Sequence, residues 1–359
     1  MDKKLVIKDR IRGSLVAGAA GDALGYTVEF WDEQQIFERF GSGGIQSYHI
    51  GRSGKALISD DTQMTLFTAA GLILGMHRQR ERGISGNARY YVNLAYQDWL
   101  VTQDRDYSRN MDDTTGFFDF MMEVPELYST RAPGMTCLSA LGVRRAQRLA
   151  HQHVSDFIAD RLNDSKGCGG VMRVAPLGLA LRFLDDEQLA REGAQCAAIT
   201  HSNSLGYMPA AMLCLIVNKL VYHELSLKAA VEQSRDLVAR IYRDDPNIGV
   251  LTGIIDRAIA LSENNASDLE NIHKLGQGWI AEEALAIAVY CSLRHEQDLS
   301  KALIAAVNHA GDSDSTGAIT GNILGALTGF DAIEEKWKKD LELMDFTLGL
   351  ADRLVELFV

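Results

Sequence analysis

The chain has 359 residues, of which 47% are hydrophobic and 23% charged, a composition typical of a globular protein with a sizeable core. Its 36 basic and 48 acidic residues give a net charge of −12 without a basic stripe, so duplex nucleic acid is not an expected ligand. The five prolines all lie outside residues 1–124 and 247–359, so long helices can run uninterrupted there.

The sequence carries no signal for export, membrane insertion or disulfide formation. Residues 1–10 (MDKKLVIKDR) contain no apolar signal core, and the longest apolar stretches, 210–217 and 284–291, are each less than half a membrane span. The five cysteines are odd in number and form no C-x-x-C pair, which disfavours a disulfide framework and a zinc ribbon. The sequence therefore predicts a cytoplasmic protein that does not bind membranes.

Hydrophobic periodicity of the helical kind dominates the chain. It predicts nine helices, over residues 10–25, 60–79, 87–102, 190–199, 205–222, 227–242, 279–294, 300–309 and 315–328. Strand-like alternation is confined to residues 45–50, within a glycine-rich stretch, so residues 31–55 are interpreted as a long irregular crossing of the kind that often carries function. The expected fold is a single compact all-α domain spanning residues 1–359.

Two predicted helices carry a small residue at every fourth position. These stripes are Gly13, Ala17, Gly21 and Gly25 near the start, and Gly317, Gly321, Gly325 and Gly329 near the end. A glycine inside a helix costs about 1 kcal/mol relative to alanine, so close backbone approach should offset the cost. Ordinary helix packing would explain such stripes. Because both lie beside acidic motifs, we expect them to bring those motifs together.

The first acidic motif is SDDT at residues 59–62, which opens a predicted helix. Serine and aspartate at a helix start can cap free backbone N–H groups, so capping alone would account for them. Asp-Asp also occurs at 112–113, 185–186 and 244–245, and the pair by itself is no metal signature. The pair at 112–113 is interpreted as a solvated loop or a helix cap.

The second acidic motif is more specific. Asp312, Asp314 and Ser315 lie within four residues at the start of the second striped helix. Carboxylates and hydroxyls are hard oxygen ligands suited to Mg²⁺ or Mn²⁺, although a solvated turn before a helix would show the same pattern. Combined with Asp60 and Asp61, this motif could build a two-metal site that activates water.

A glycine-rich segment and a histidine complete the set of candidate residues. The segment contains Gly167, Cys168, Gly169, Gly170 and Val171. Backbone N–H groups unobstructed by side chains can cradle a phosphate, but the spacing matches neither the P-loop nor the Rossmann fingerprint, so a plain turn is the competing interpretation. His201 lies among hydroxyl residues before another predicted helix, and a lone histidine is more often structural than catalytic.

In chain order these segments resemble the ADP-ribosylglycohydrolase family, whose best-known members remove ADP-ribose from modified side chains. The resemblance runs from about Ile11 to Gly329 and is carried by RGSLVAGAAGDALGYTVEF, SDDTQMTLFTAAGLILG, GCGGVMRVAPLGLA, THSNSLGYMPAAML, GWIAEEALAIAVYC and AGDSDSTGAITGNILGAL. It implies an all-α fold with two Mg²⁺ or Mn²⁺ ions at the base of a cleft.

Transferred residue by residue, the resemblance implies two sets of metal ligands. They are Ser59, Asp60 and Asp61 and, later in the chain, Asp312, Asp314 and Ser315. Many relatives have threonine where Ser59 and Ser315 stand, and both residue types keep an oxygen ligand. Glu29 matches an acidic residue that lies at the metals in relatives and can move with substrate.

The resemblance also implies how ADP-ribose is held. The segment 167–171 would take the diphosphate, and His201 matches a residue near the bound ADP-ribose. Cys168 stands where relatives commonly have asparagine or serine, a change that could remove a side-chain hydrogen bond to the substrate and leave the backbone cradle intact. Trp279 either borders the cleft or is a core aromatic.

The implied activity is hydrolysis at the anomeric carbon of ADP-ribose on a protein side chain, with N-linked arginine as the first candidate. Asp61 or Glu29 would guide the attacking water, and the sequence does not decide between them. The expected partners are an ADP-ribosylated protein, ADP-ribose and an ADP-ribosyltransferase or toxin, in regulation or toxin immunity. Two alternatives stay open: a catalytically inactive relative that binds ADP-ribose or has a structural role, and a hydrolase of another ADP-ribosyl or nucleotide-linked substrate.

Overall fold

The computed structural model describes residues 2–83, 86–103 and 114–359, so the acidic pair at 112–113 lies outside it. Within these ranges the chain forms 17 α-helices and no β-strand, which confirms the predicted all-α fold class. The helices are α1 (Lys3–Gly25), α2 (Glu33–Phe40), α3 (Asp60–Arg82), α4 (Ala88–Thr102), α5 (Asp119–Met122), α6 (Met135–Leu149), α7 (Ala175–Ala180), α8 (Asp186–Ala198), α9 (Ser204–Tyr222), α10 (Leu227–Ile241), α11 (Ile248–Ser262), α12 (Asp268–His273), α13 (Ala281–Arg294), α14 (Leu299–Val307), α15 (Ser313–Thr328), α16 (Glu335–Lys338) and α17 (Met344–Phe358).

The nine predicted helices are all present, with their ends displaced by a few residues. The first begins much earlier than predicted, at Lys3, because the Asp2 side chain caps it by accepting a hydrogen bond from the Lys4 amide at 3.0 Å. The irregular crossing predicted for residues 31–55 is wrong in part, since it contains α2. That helix begins with a capping box, in which Asp32 and Gln35 each accept from the other's backbone N–H.

The two glycine stripes face each other in an antiparallel pair formed by α1 and α15. A Cβ atom added at Gly13 would lie 2.5 Å from the carbonyl oxygen of Gly325, and one added at Gly321 would lie 2.7 Å from the amide nitrogen of Gly18. Neither distance is compatible with a side chain, so the two backbones are in direct contact. The close approach predicted from the stripes is confirmed.

Helix α9 lies in the middle of the larger hydrophobic core. Within the described ranges it is the one helix long and apolar enough to cross a membrane. However, 94% of its apolar window is buried inside the fold, as expected for a core helix. Its apolar surface is therefore already used in packing.

The antiparallel arrangement of α1 and α15 determines where the acidic motifs meet. Since the backbones run side by side, the C-terminal end of α1 lies against the N-terminal end of α15: a Cβ added at Gly25 would lie 2.5 Å from the amide nitrogen of Asp314. The N-terminus of α3 joins them through hydrogen bonds to Asp22, near the end of α1. Three helix ends thus converge at one side of the molecule.

Candidate active site

The N-terminus of α3 is held by two polar side chains. Ser59 is its cap, and its hydroxyl oxygen accepts from the Asp61 amide at 3.2 Å. Asp22 is fully buried and accepts hydrogen bonds from the amides of Ser59 and Thr62, each at 3.0 Å, and from the Thr62 hydroxyl. Asp22 therefore fixes the segment from which Asp60 and Asp61 project.

Asp22 is a site residue that the sequence analysis did not single out. It directly follows Gly21 of the α1 stripe, and a lone carboxylate in a run of small and apolar residues is the available sequence signal. Burial and the nearby Asp314 raise its pKa to about 7, despite the hydrogen bonds from Thr62 and Ser59 that lower it.

The N-terminus of α15 supplies the second acidic group. Asp312 is the cap and accepts from the Ser315 amide at 3.3 Å, and Asp314 accepts from the same amide at 3.0 Å. The connection before this helix is fixed too, because the Asp312 amide donates to the Gln277 carbonyl oxygen at 2.8 Å. Both carboxylates are buried.

These groups meet in a cleft of about 200 Å³. Its walls include Glu29, Asp60, Asp61, Gly167, Cys168, Gly169, His201, Trp279, Asp312, Asp314 and Ser315. A larger cavity, of about 440 Å³, lies elsewhere, between α3, α4 and α8, but its titratable lining includes a mutually paired arginine and glutamate, Arg89 and Glu192. The chemistry of the residues, and not cavity size, identifies the smaller cleft as the candidate active site.

The carboxylates in this cleft are poorly neutralised. Burial and mutual repulsion raise the pKa of Asp60, Asp61 and Asp314 well above the usual range, and the same two causes raise that of Glu29. Two of their oxygens, Glu29 Oε2 and Asp61 Oδ2, are buried and have no hydrogen-bond partner among the described residues. Buried carboxylates of this kind require either protons or a cation.

The donor chemistry fits a hard divalent cation. No group of three or more histidine, cysteine, aspartate or glutamate side chains in the described ranges is arranged to hold an ion by itself. Hydroxyl oxygens and water would therefore complete any coordination sphere. Ser59 and Ser315 provide buried hydroxyls at the two helix starts, beside Asp60 and Asp314.

The glycine-rich segment forms a short 3₁₀ turn, Cys168–Gly170, tied to the chain before α13. The Cys168 amide donates to the Trp279 carbonyl oxygen at 3.2 Å, and the Gly167 amide donates to Ser165 Oγ at 3.3 Å. Within the described ranges the amide of Gly169 has no partner. The cradle predicted over residues 167–171 is thus narrower than expected.

Two residues of the predicted cradle do not line the cleft. Gly170 is buried, and a Cβ there would lie 2.9 Å from the carbonyl oxygen of Gly206. Val171 has its side chain in the hydrophobic core and its amide bonded to the Cys168 carbonyl at 2.9 Å. The small size of Gly170 and the apolar side chain of Val171 are thus used in packing. Sequence spacing alone does not distinguish such packing residues from residues that bind a ligand.

The thiol of Cys168 points at one of the predicted metal ligands. Its Sγ donates to Asp312 Oδ2 at 2.6 Å. Burial, together with the negative charges of Asp312 and Asp61, raises the pKa of Cys168 well above its usual range, so the group is a neutral thiol. The side chain that replaces the asparagine or serine of relatives is therefore engaged with the acidic cluster.

Two aromatic side chains mark the rim of the cleft. The Trp279 ring lines the cleft, is 39% exposed, and stacks on Phe30 with ring centroids 6.0 Å apart and planes inclined by 21°. Of the two interpretations of Trp279, the structure thus supports a place at the cleft. Phe30, 72% exposed, directly follows Glu29 and was not singled out from sequence, where an aromatic after an acidic residue is not distinctive.

Comparison with known proteins identifies the family. A sequence model described as ADP-ribosylglycohydrolase matches residues 3–359. The chain belongs to the ADP-ribosylglycohydrolase family.

Several relatives in this family are named for their activity. The human protein named ADP-ribosylhydrolase ARH3 is 32% identical over 222 residues, which cover 54% of this chain and 59% of that protein. The chain thus aligns with little more than half the length of the ARH3 proteins. The ADP-ribosyl-[dinitrogen reductase] glycohydrolase of Rhodospirillum rubrum is 25% identical over 94% of this chain and 92% of its own.

A solved structure supports the same fold. An ADP-ribosylglycohydrolase-related protein complex superposes with a TM-score of 0.64 at 22% sequence identity, covering 98% of this chain and 99% of the other. At this identity the likeness establishes the ADP-ribosylglycohydrolase fold.

Proposed function

We propose that the chain is a metal-dependent hydrolase that removes ADP-ribose from modified protein side chains. One observation carries the proposal: two buried, unpartnered carboxylate oxygens, Glu29 Oε2 and Asp61 Oδ2, lie in a cleft that holds three further carboxylates. Membership of the ADP-ribosylglycohydrolase family supports the ADP-ribosyl substrate. The unbalanced negative charge of the cleft supports the cations.

Six residues would hold the ions: Ser59, Asp60, Asp61, Asp312, Asp314 and Ser315. Two Mg²⁺ ions, or Mn²⁺ in their place, are proposed because every one of these donors is a hard oxygen. When bound, such ions supply Lewis acidity and lower the pKa of a bound water.

Glu29 and Asp61 are the two candidates for the general base. Within the described ranges each has a buried carboxylate oxygen without a hydrogen-bond partner at the cleft, so each has an acceptor position available for the proton of a water. In the proposed reaction, a water oxygen bonds to the anomeric carbon, the bond from that carbon to the side chain breaks, and the carboxylate takes the water proton and returns it to the leaving atom. The products are ADP-ribose and the unmodified side chain.

The diphosphate part of the substrate, away from the anomeric carbon, would be held by neutral groups. The free amide of Gly169 and the ring of His201 are proposed to face the diphosphate, since both border the cleft and neither adds negative charge. The exposed rings of Trp279 and Phe30 offer a flat surface at the rim for a planar part of the ligand.

Arginine is the proposed attachment site. Its guanidinium is a permanent cation, and Glu29, which is not among the six proposed metal ligands, leaves a carboxylate in the cleft that attracts a cationic leaving group more strongly than a neutral serine. An ADP-ribosyltransferase or toxin would supply the modified protein, so the proposed roles are reversal of regulation or toxin immunity. The cytoplasm is the proposed compartment, because the five cysteines are all free thiols.

Release of ADP-ribose from defined substrates tests this function. Peptides carrying ADP-ribose on arginine or on serine are incubated with the purified chain and Mg²⁺, and free ADP-ribose is measured by mass spectrometry. We expect release from the arginine-linked peptide, loss of at least about a hundredfold for Asp314→Ala, and loss on chelation of the metal. Asp244→Ala, which removes an exposed aspartate from another Asp-Asp pair, is the matched control and should keep full activity.

Two results would contradict the proposal. If the wild-type chain binds ADP-ribose but cleaves neither linkage, it is a non-catalytic binding protein. If Asp60→Ala, Asp61→Ala and Asp314→Ala all keep full activity without metal, the acidic cluster is not the catalytic centre.

A further inference from the structure

A buried arginine behind the cleft lacks the acidic partner that a buried cation normally has. Arg173 is fully buried, and its guanidinium lies 4.4 Å from the centre of the Tyr96 ring. Its Nη1 donates to the sulfur atoms of Met64 and Cys137, at 3.4 and 3.3 Å, and its Nη2 donates to the Thr200 hydroxyl at 2.6 Å. No salt bridge joins it to any carboxylate in the described ranges. Its strongest directional contact is therefore with Thr200.

The hydroxyl of Thr200 lies between Arg173 and His201 and contacts both side chains. An arginine can only donate, so Thr200 Oγ1 is the acceptor in that bond and its single proton is free for a second partner. His201 Nδ1 lies 2.8 Å from Oγ1, whereas the Ala197 carbonyl oxygen lies 3.5 Å away and the neighbouring Cys137 sulfur is a weak acceptor. The hydroxyl thus donates to Nδ1, which leaves the imidazole proton on Nε2.

The Nε2 edge of His201 faces the glycine-rich turn. A Cβ atom added at Gly167 would lie 3.3 Å from Nε2, and one added at Gly169 would lie 3.4 Å from it. Side chains at these positions would crowd this edge, so the two glycines keep it open toward the cleft. Within the described ranges Nε2 has no hydrogen-bond partner.

The charge state agrees with this geometry. Burial and the positive charge of Arg173 lower the pKa of His201 to about 3, so the ring is neutral. The other ionisable side chain in contact with this group, Cys137, has its pKa raised by burial and remains a thiol. A neutral imidazole offers an N–H on one edge only, and which edge depends on the tautomer.

We propose that Arg173, acting through Thr200, fixes His201 as the Nε2–H tautomer and so directs an N–H donor toward an anionic oxygen of the ligand held over Gly167 and Gly169. The identity of that anion as a substrate diphosphate rests on the proposed function; the tautomer does not. Arg173 and Thr200 are positioning residues, and His201 is the group that contacts the ligand. The arrangement brings the positive charge of Arg173 close to the anion without exposing a cation beside the acidic cluster.

The tautomer can be measured directly. The chain is labelled with ¹⁵N-histidine, and the ring resonances of His201 are assigned by their loss in His201→Gln. From about pH 5 to 8 we expect the two nitrogen shifts of an Nε2-protonated neutral ring, without titration. A ring protonated on Nδ1, or an imidazolium at neutral pH, would overturn the proposal whatever the enzyme's substrate.

Binding measurements test the role of the donor. Thr200→Val removes the hydroxyl that orients the ring, and we expect it to weaken ADP-ribose binding about tenfold in calorimetry, while Thr200→Ser, which keeps a hydroxyl, should bind more tightly than Thr200→Val. Thr252→Val is the matched control, because this distant threonine donates its hydroxyl to carbonyl oxygens within α11. Unchanged affinity in folded Thr200→Val would refute the relay.

A second pair of variants, at His201 itself, tests the N–H donor even if Thr200→Val does not fold. Glutamine at position 201 can place an amide N–H near the position of Nε2, whereas alanine cannot, so His201→Gln should retain more affinity than His201→Ala for both ADP-ribose and inorganic pyrophosphate. Equal loss in the two variants would contradict the proposal. If the wild-type chain binds pyrophosphate but not ADP-ribose, the proposed function fails while the donor assignment stands.

Discussion

Asp22 shows how much one side chain can determine without touching a ligand. It accepts four hydrogen bonds from Ser59 and Thr62, counting both of its oxygens with the Ser59 amide, and so holds the start of α3 against α1. The acidic pair that follows Ser59 projects from this fixed segment. Asp22 therefore has the role of an orienting residue behind the proposed metal ligands.

Removal of Asp22 should affect both stability and activity. In Asp22→Ala the amides of Ser59 and Thr62 and the Thr62 hydroxyl lose their acceptor inside the protein, and each unsatisfied group costs on the order of 1–3 kcal/mol. We expect a lower melting temperature by calorimetry and a loss of activity of at least about tenfold that added Mg²⁺ does not restore. Full activity in a destabilised variant would show that Asp22 is only structural.

At the scale of the elements, the contact between α1 and α15 places the two acidic groups side by side. Gly21 and Gly317 lie directly opposite each other, as do Gly321 and Ala17, so a side chain at any of the glycines would meet the opposing backbone. Because Asp22 of α1 holds the start of α3, and α15 carries Asp314, any separation of α1 from α15 also separates the two acidic groups.

Gly321→Val tests whether this contact supports metal binding as well as packing. The new Cβ would lie within van der Waals overlap of the Ala17 carbonyl, so we expect a loss of several kcal/mol in unfolding free energy and weaker Mg²⁺ binding in calorimetry. Gly253→Val in α11 is the matched control, since a Cβ there meets no atom of the described residues within 4 Å. Lower stability with unchanged metal affinity would assign the stripes to packing alone.

The elements also show what could be predicted from sequence. The stripes predicted the α1–α15 contact because glycine at every fourth position destabilises a helix unless another backbone packs closely against that face. By contrast, the longer helices α2, α6, α11 and α17 were missed, as were several short ones. In α11 the glycines at 249 and 253 have no neighbour within 4 Å among the described residues, and in sequence they look like loop residues. Asp22 was missed because its partners, Ser59 and Thr62, are distant in sequence. The burial of Val171 away from the cleft was not foreseen because burial is a tertiary property.

At the scale of the whole molecule, the buried titratable groups set how stability depends on pH. Asp60, Asp61 and Asp314 have pKa values raised well above 3.8, and that of Asp22 is raised to about 7. The folded state then holds protons that the unfolded state has released, so these groups make stability fall as pH rises. The buried His201 and His309, with pKa values lowered to about 3 and about 4, act in the opposite sense, but only below their unfolded value of 6.5.

Above about pH 6.5 the two histidines no longer contribute, and the raised pKa values of the carboxylates alone determine how stability changes with pH. The metal-free protein should therefore lose stability as pH rises above this value. We expect the melting temperature in a chelating buffer to fall between about pH 6.5 and 8, and Mg²⁺ to raise it most at the higher pH, because cations compete with protons for the same oxygens. Differential scanning fluorimetry across this pH range, once with a chelator and once with Mg²⁺ free of Ca²⁺, measures both effects. A melting temperature that rises with pH without metal would contradict the assignment of raised pKa values.

The order of the acidic groups along the chain has a consequence for biosynthesis. The first group ends at Asp61 and the second begins at Asp312, so a chain emerging from the ribosome carries the first group long before the second exists. Neither group alone can form the cleft, and α1 has no partner for its glycine face until α15 is made. The glycine face of α1 therefore stays uncovered until α15 has been synthesised, which leaves it open to non-native contacts while the chain folds.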